Sequence, residues 1–263
     1  KRKMCQEKFN LNDNQLFDNI DDCLKSSIDC DLFINTTMDQ FHYEIMKKIL
    51  SAKYNLLTEK PIVGDKLQLL ELQSIATQNN CKVFVCHVLR YTPFYATIKQ
   101  MILDNKIGKI FSIQMDEHVG IAHYGGSYVR GKWNNEEKCL SSFLLAKSCH
   151  DIDIMCWLNN NTIPTEVAAF GGRYFFTRDN APQDSTESCF DCPIEKKCLY
   201  SAIKHYIECN WSSNLTWTQI DKKIEDITLE DKINFLKNSS YGKCIFKVDD
   251  ANITDREALI VNF

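Results

Sequence analysis

The chain has 263 residues, enough for one large domain or two modest ones with a buried core. Its 44% hydrophobic and 25% charged content fits a folded globular protein and argues against disorder. Thirty-one basic against 35 acidic residues leave a net charge of −4, without the basic excess of a nucleic-acid binder; the longest apolar run, Val83–Leu89, falls far below the ~20 residues of a membrane helix.

Taken in order, Met4–Phe9 carries a helical pattern. Asp31–Thr37 (DLFINTT) is a short apolar run closing in polar residues, as in a buried parallel strand. Phe41–Ala52 places apolar residues at 41, 45, 49 and 52, which predicts a helix. Tyr54–Thr58 reads as a second strand, ended by Glu59-Lys60-Pro61. Asp65 stands where it can cap an amphipathic helix that runs to Gln78, and Val83–Val88 is a third strand. This alternation predicts a doubly wound, parallel α/β domain over residues 1–89.

After Arg90 the pattern changes. Pro93–Asp104 reads as a helix with proline in its first turn, Lys109–His118 as a strand, and 120–142 as a loop rich in Gly, Tyr, Trp and Asn. Ser142–Leu158 is a helix, Val167–Thr177 a strand and 178–198 irregular. Residues 199–208 and 228–237 are helical, and Lys243–Val248 and Glu257–Phe263 are strands. Clustered strands with long connections predict a second domain, 90–263, of α+β type with a large, mainly antiparallel open sheet. The chain opens on Lys within a helical pattern and closes in mid-strand, so it reads as a fragment at both ends.

Thirteen cysteines, odd in number and partly inside apolar runs (Cys86, Cys149, Cys156), read as buried thiols of a reducing, cytoplasmic protein. Cys189-x-x-Cys192-Pro193, Cys198 and Cys209 have partly metal-like spacing. No second CxxC follows and Cys209 is an unconvincing fourth ligand, so buried thiols are favoured over zinc and no metal site is assigned.

Three groups bear chemistry. Lys60 follows a strand of a doubly wound sheet, where ligands bind, but a solvated turn lysine reads equally well. Lys147, His150 and Asp151 share one face at helical spacing; histidine exchanges protons near neutral pH, although by itself a core-facing ring is the favoured reading. Tyr124, Tyr128, Arg130, Trp133 and Asn134 combine aromatic and hydrogen-bonding groups that suit a polyhydroxylated ligand, as many surface loops do without one.

In sequence order, Asp31–His42 (DLFINTTMDQFH), Leu57–Pro61 (LTEKP), His87–Pro93 (HVLRYTP), Ile107–Ser112 (IGKIFS) and Ser148–Leu158 (SCHDIDIMCWL) resemble the Gfo/Idh/MocA oxidoreductase family. The joint presence of E-K-P and H-x-x-D-x-x-x-W-L reverses the plainer readings of Lys60 and His150. The resemblance implies a Rossmann domain binding NAD or NADP and a C-terminal α/β domain. It makes Lys60 and His150 catalytic, with the Lys60–Pro61 bond often cis. Thr37, His42, Glu59, Lys60, Pro61 and Arg90 would lie on the cofactor side and Lys147 and Asp153 on the substrate side, where the composition of the aromatic loop also places Tyr128, Arg130 and Trp133. The family's Gly-x-Gly-x-x-Gly turn is expected before residue 1, and further strands after residue 263. Met38 replaces a usual proline, and Ala146 a frequent catalytic aspartate. The expected reaction moves hydride between nicotinamide and a secondary hydroxyl of a sugar, cyclitol or polyol. NAD-assisted glycoside elimination or hydrolysis and a non-catalytic nucleotide or sugar sensor are the alternatives. The expected partner is a small molecule, with neither nucleic acid nor membrane, in a possible homo-oligomer.

Overall fold

A computed structural model describes residues 2–26, 29–159, 162–211 and 216–263. The chain divides into two units, Lys1–Cys86 and His87–Phe263. In the first, helices α1 (Arg2–Phe9) and α2 (Ile20–Lys25) precede a parallel sheet of β1 (Leu32–Asn35), β2 (Asn55–Thr58) and β3 (Val83–Val85), ordered β1-β2-β3. Parallel neighbours need crossovers, and these are α3 (His42–Ser51) and α4 (Lys66–Gln78). Asp65 caps α4, its carboxylate accepting from Gln68 N at 2.9 Å.

The register explains which side chains are buried. Phe33, Leu56 and Val83 stand in one row and pack with Met46, Ile49 and Leu50 of α3 and Leu72 and Ala76 of α4. One residue on, Ile34, Leu57 and Phe84 form the row on the opposite face. There Ile34 is 63% and Phe84 51% exposed. β1 is shorter than the apolar run predicts because the Asn35 side chain turns the backbone: its Oδ1 accepts from Thr37 N and Oγ1 at 3.3 and 2.8 Å.

The second unit opens with a single turn, Val88–Tyr91, and α5 (Pro93–Leu103), capped by Thr92 with Pro93 in the first turn. Residues 120–142, expected as loop, are largely helical. α6 (Ile121–Tyr124) runs into a π-helical turn, Gly125–Val129, and α7 (Glu136–Cys139) follows. A second π-helical turn, Leu144–Ser148, leads into α8 (Cys149–Leu158). β4 (Glu166–Gly172) pairs antiparallel with β5 (Arg256–Asn262). β4 ends before Thr177 because the Asp255 carboxylate accepts from the N–H groups of Tyr174, Phe175 and Phe176 and bends the chain.

Two expected strands do not join this sheet. Lys109–His118 has no ladder partner among the described residues, and Phe111 is fully exposed. Alternation there predicts two faces but cannot supply a neighbouring edge. Lys243–Val248 instead forms 3-10 turns, Ser240–Gly242 and Ile245–Lys247. Adjacent Ile245 and Phe246 both enter one core with Tyr124, Tyr128, Phe176 and Val248, which a strand of period two cannot achieve. A second core in this unit gathers Ala202, Tyr206, Trp217 and Leu236.

Candidate active site

Each unit carries a set of polar groups. In the first, they lie at the carboxyl ends of the parallel strands, where ligands of doubly wound sheets bind. Asn35 is buried and its Nδ2 donates to Thr58 Oγ1 at 3.3 Å, while Glu59 N donates to Asn35 O at 2.9 Å. These bonds lock the end of β1 to the end of β2. The Lys60–Pro61 peptide is cis. His42, with no exposed surface, places Nδ1 2.7 Å from Pro61 O and Nε2 3.0 Å from Thr37 O. It positions Thr37 and Pro61 from below the edge they form. Thr37 is exposed, and Glu59 and Lys60 are half-buried, so this edge offers polar groups to a ligand.

In the second unit, α8 is the organising element. A π-helical turn, Leu144–Ser148, leads into it, and Lys147 and Asp151 stay close enough for the lysine charge to act on the carboxyl. The histidine side faces residues 87–90. His87 and His150 meet edge to face, their centroids 5.8 Å apart. Arg90 holds Asp153 with two hydrogen bonds, Nε to Oδ2 at 2.7 Å and Nη2 to Oδ1 at 2.5 Å. The Arg90 guanidinium lies 5.7 Å from the Trp157 ring centroid, and the Asp153 carboxylate raises its pKa.

The lysine side faces Glu117, whose carboxylate pairs with Lys147 at 2.8 Å. Burial first, and the Glu117 charge second, hold the Asp151 carboxyl above its ordinary range, with Lys147 opposing. His87 and Glu117 were missed in the sequence. His87 was legible as the start of the H-V-L-R motif, three residues before Arg90. Glu117 was not, because its contact with Lys147 depends on the path of a segment without a ladder.

The aromatic residues expected in a loop lie mostly inside the unit. Tyr128 and Arg130 are buried, Arg130 with 1% exposure. Tyr128 packs in the core with Tyr124 and Ala146, and Trp133 packs against that cluster. Arg130 donates to Lys243 O and Tyr200 O, each at 2.8 Å. Tyr128 and Arg130 thus hold the unit together from within, and Trp133 is half-buried against them.

Comparison with known proteins agrees with both units. A family model described as "Oxidoreductase family, NAD-binding Rossmann fold" matches residues 1–87, and one described as "Oxidoreductase family, C-terminal alpha/beta domain" matches 99–200. YteT of Bacillus subtilis (strain 168), whose name describes an oxidoreductase, is 30% identical over 180 residues, covering 66% of this chain and 41% of YteT. The inositol 2-dehydrogenase/D-chiro-inositol 3-dehydrogenase of Lactiplantibacillus plantarum is 28% identical over 132 residues, covering 50% of this chain and 34% of its own length. The chain thus spans less than half the length of these curated relatives.

Among solved structures, the WlbA dehydrogenase from Bordetella pertussis in complex with NADH and UDP-GlcNAcA superposes with a TM-score of 0.52 at 16% identity. Apo scyllo-inositol dehydrogenase from Lactobacillus casei superposes with a TM-score of 0.51 at 23% identity. Each superposition covers 65% of this chain and 47% of the other, and shows a shared fold. With both domain models matched in order over well over half of its residues, the chain belongs to the Gfo/Idh/MocA oxidoreductase family.

Proposed function

We propose that the chain carries the cofactor-side and substrate-side groups of an NAD-dependent oxidoreductase that moves hydride between nicotinamide and a secondary hydroxyl of a sugar, cyclitol or related polyol. The observation that carries this reading is the fixed position of Lys60 at the carboxyl end of β2. Glu59 before it is bonded to β1, and Pro61 after it is bonded to the buried His42. Half-buried Glu59 and Lys60 beside exposed Thr37 form a polar edge that fits the nicotinamide–ribose end of a dinucleotide. When bound, the dinucleotide supplies the hydride acceptor or donor.

The protein's part is proton handling and charge. The Lys60 ammonium holds the substrate hydroxyl and stabilises negative charge as an alkoxide develops. His150 takes or returns the hydroxyl proton, its ring set by the edge-on contact with His87. Asp153, committed to Arg90 through both oxygens, is a charge partner and fixes the segment bearing His87. Lys147, paired with Glu117, stands one turn before Asp151 as a substrate-side cation. Thr37, Glu59 and Arg90 complete the cofactor side.

The protein in its full reading frame tests this. His150→Ala should lower kcat by about 10²–10⁴-fold, the usual contribution of a positioned proton carrier, while NADH titration gives an unchanged Kd. Turnover equal to wild type would remove His150 from the mechanism. Failure of the wild-type protein to bind either dinucleotide would remove the oxidoreductase reading itself.

A further inference from the structure

The cysteine motif of the second unit plays no part in this chemistry, yet the fold completes it. Cys189, Cys192 and Cys198 line one small cavity together with Cys244, which lies far away in sequence. Short 3-10 turns, Cys189–Asp191 and Glu195–Lys197, curl the first three around the cavity. The fourth is tied to the same place by backbone: Cys244 N donates to Glu187 O at 2.8 Å, and Ser188 bridges Lys243. Cys209, the fourth ligand considered from spacing, is exposed and does not line the cavity.

Hydrogen-bond donors face two of the sulfurs. Ala202 N–H donates to Cys189 Sγ at 3.5 Å, and Tyr200 N–H to Cys198 Sγ at 3.4 Å. Arg130, 1% exposed, also lines the cavity and directs Nη2 at Cys189 Sγ, 3.7 Å away. Its other hydrogen bonds go to two carbonyls, and its Nη1 is buried without a hydrogen-bond partner. A guanidinium does not give up its proton, so burying one calls for a nearby anion. The cavity's carboxylate, Glu195, instead accepts from the Ser201 hydroxyl.

We propose that Cys189, Cys192, Cys198 and Cys244 form a tetrathiolate zinc site that ties the 189–198 segment to the 240s. On binding, the four thiols release four protons to solvent and each sulfur donates a lone pair to the metal. The Zn(S–Cys)₄ unit carries −2, which Arg130 reduces to −1. In the free-thiol state described here, no three His, Cys, Asp or Glu side chains among the described residues stand ready as metal ligands. Cys189 then donates its own hydrogen toward Lys243 O, at 3.7 Å. Closure on the metal needs these sulfurs to turn inward among their staggered χ1 positions. Zinc suits four sulfur ligands in a closed tetrahedral site.

The experiment is metal analysis and cobalt substitution of the full chain, purified under reducing conditions without chelator. One zinc per chain is expected. In the wild-type protein cobalt should give sulfur-to-metal charge transfer and tetrahedral visible bands. In Cys244→Ala the charge-transfer intensity should fall by about a quarter, as one of four ligands is lost. In Cys209→Ala it should not change. Wild-type protein that takes up neither zinc nor cobalt overturns the proposal, as does cobalt bound without sulfur charge transfer. So does acid-labile sulfide with iron in place of zinc. None of these readouts depends on dinucleotide binding or turnover.

Discussion

At the scale of single residues, His42 and Asp151 have environments with opposite consequences. Both His42 ring nitrogens face backbone carbonyls in a fully buried site. His42→Ala removes the ring and leaves Pro61 O and Thr37 O without it. The expected loss is about 2 kcal/mol in a denaturant titration, typical of orphaned buried polar groups, with weakened dinucleotide binding as the Lys60 turn loosens. Asp151 is a carboxylate that the fold disfavours, since burial and Glu117 raise its pKa above the ordinary 3.8. The folded state therefore holds more protons than the unfolded state between 3.8 and the raised value. Stability contributed by this group is present at low pH and is lost as pH rises through that window. Asp151→Asn should raise the melting temperature at neutral pH and leave it unchanged below 3.8, as scanning calorimetry at several pH values would show. His150 was legible in the sequence because its motif is local. The burial of Tyr128 and Arg130 was not, since aromatic and cationic groups occur alike in loops and in cores.

At the scale of elements, the regular ones were legible and the widened turns were not. Asp65 and Thr92 each stand before a helix with the side chain that satisfies its first amides, so both helix starts follow from local chemistry. The π-helical turns Gly125–Val129 and Leu144–Ser148 have no such local marker. The first of them depends on close packing. A Cβ at Gly131 would stand 2.1 Å from Gly126 O and 2.9 Å from Ser127 O, both within that turn. Gly131→Ala should therefore cost at least about 1–3 kcal/mol in thermal unfolding, the range for overpacking against backbone that cannot move aside. The segment 243–248 failed as a strand for a related reason. Its apolar residues are contiguous, and contiguity is compatible with either a buried strand or a compact turn until neighbours are placed.

At the scale of the whole molecule, the two units have separate cores. One core gathers Met46, Ile49, Leu50, Leu56, Leu72 and Ala76 of the first unit, and the other two draw on the second unit alone. All four tryptophans, Trp133, Trp157, Trp211 and Trp217, belong to the second unit, so their fluorescence reports on that unit. Leu50→Ala empties a completely buried position and should destabilise the first unit by about 2–5 kcal/mol. Far-UV circular dichroism should then show an earlier phase while the tryptophan transition stays in place. A matching shift of both signals would show that the units unfold as one. No helix among the described residues is long and apolar enough to cross a membrane.

The sequence by itself determined the family, the parallel α/β order of the first unit, and the placing of Lys60 at a strand end and His150 on a helix. Each of these rests on short-range periodicity, caps or contiguous motifs. Tertiary structure alone decided what His42 does, which side of α8 meets His87 and which meets Glu117, and that Cys244 rather than Cys209 joins the other three thiols. Those outcomes depend on contacts between residues far apart in the chain, and spacing along one strand or helix carries no information about which distant segment packs against it.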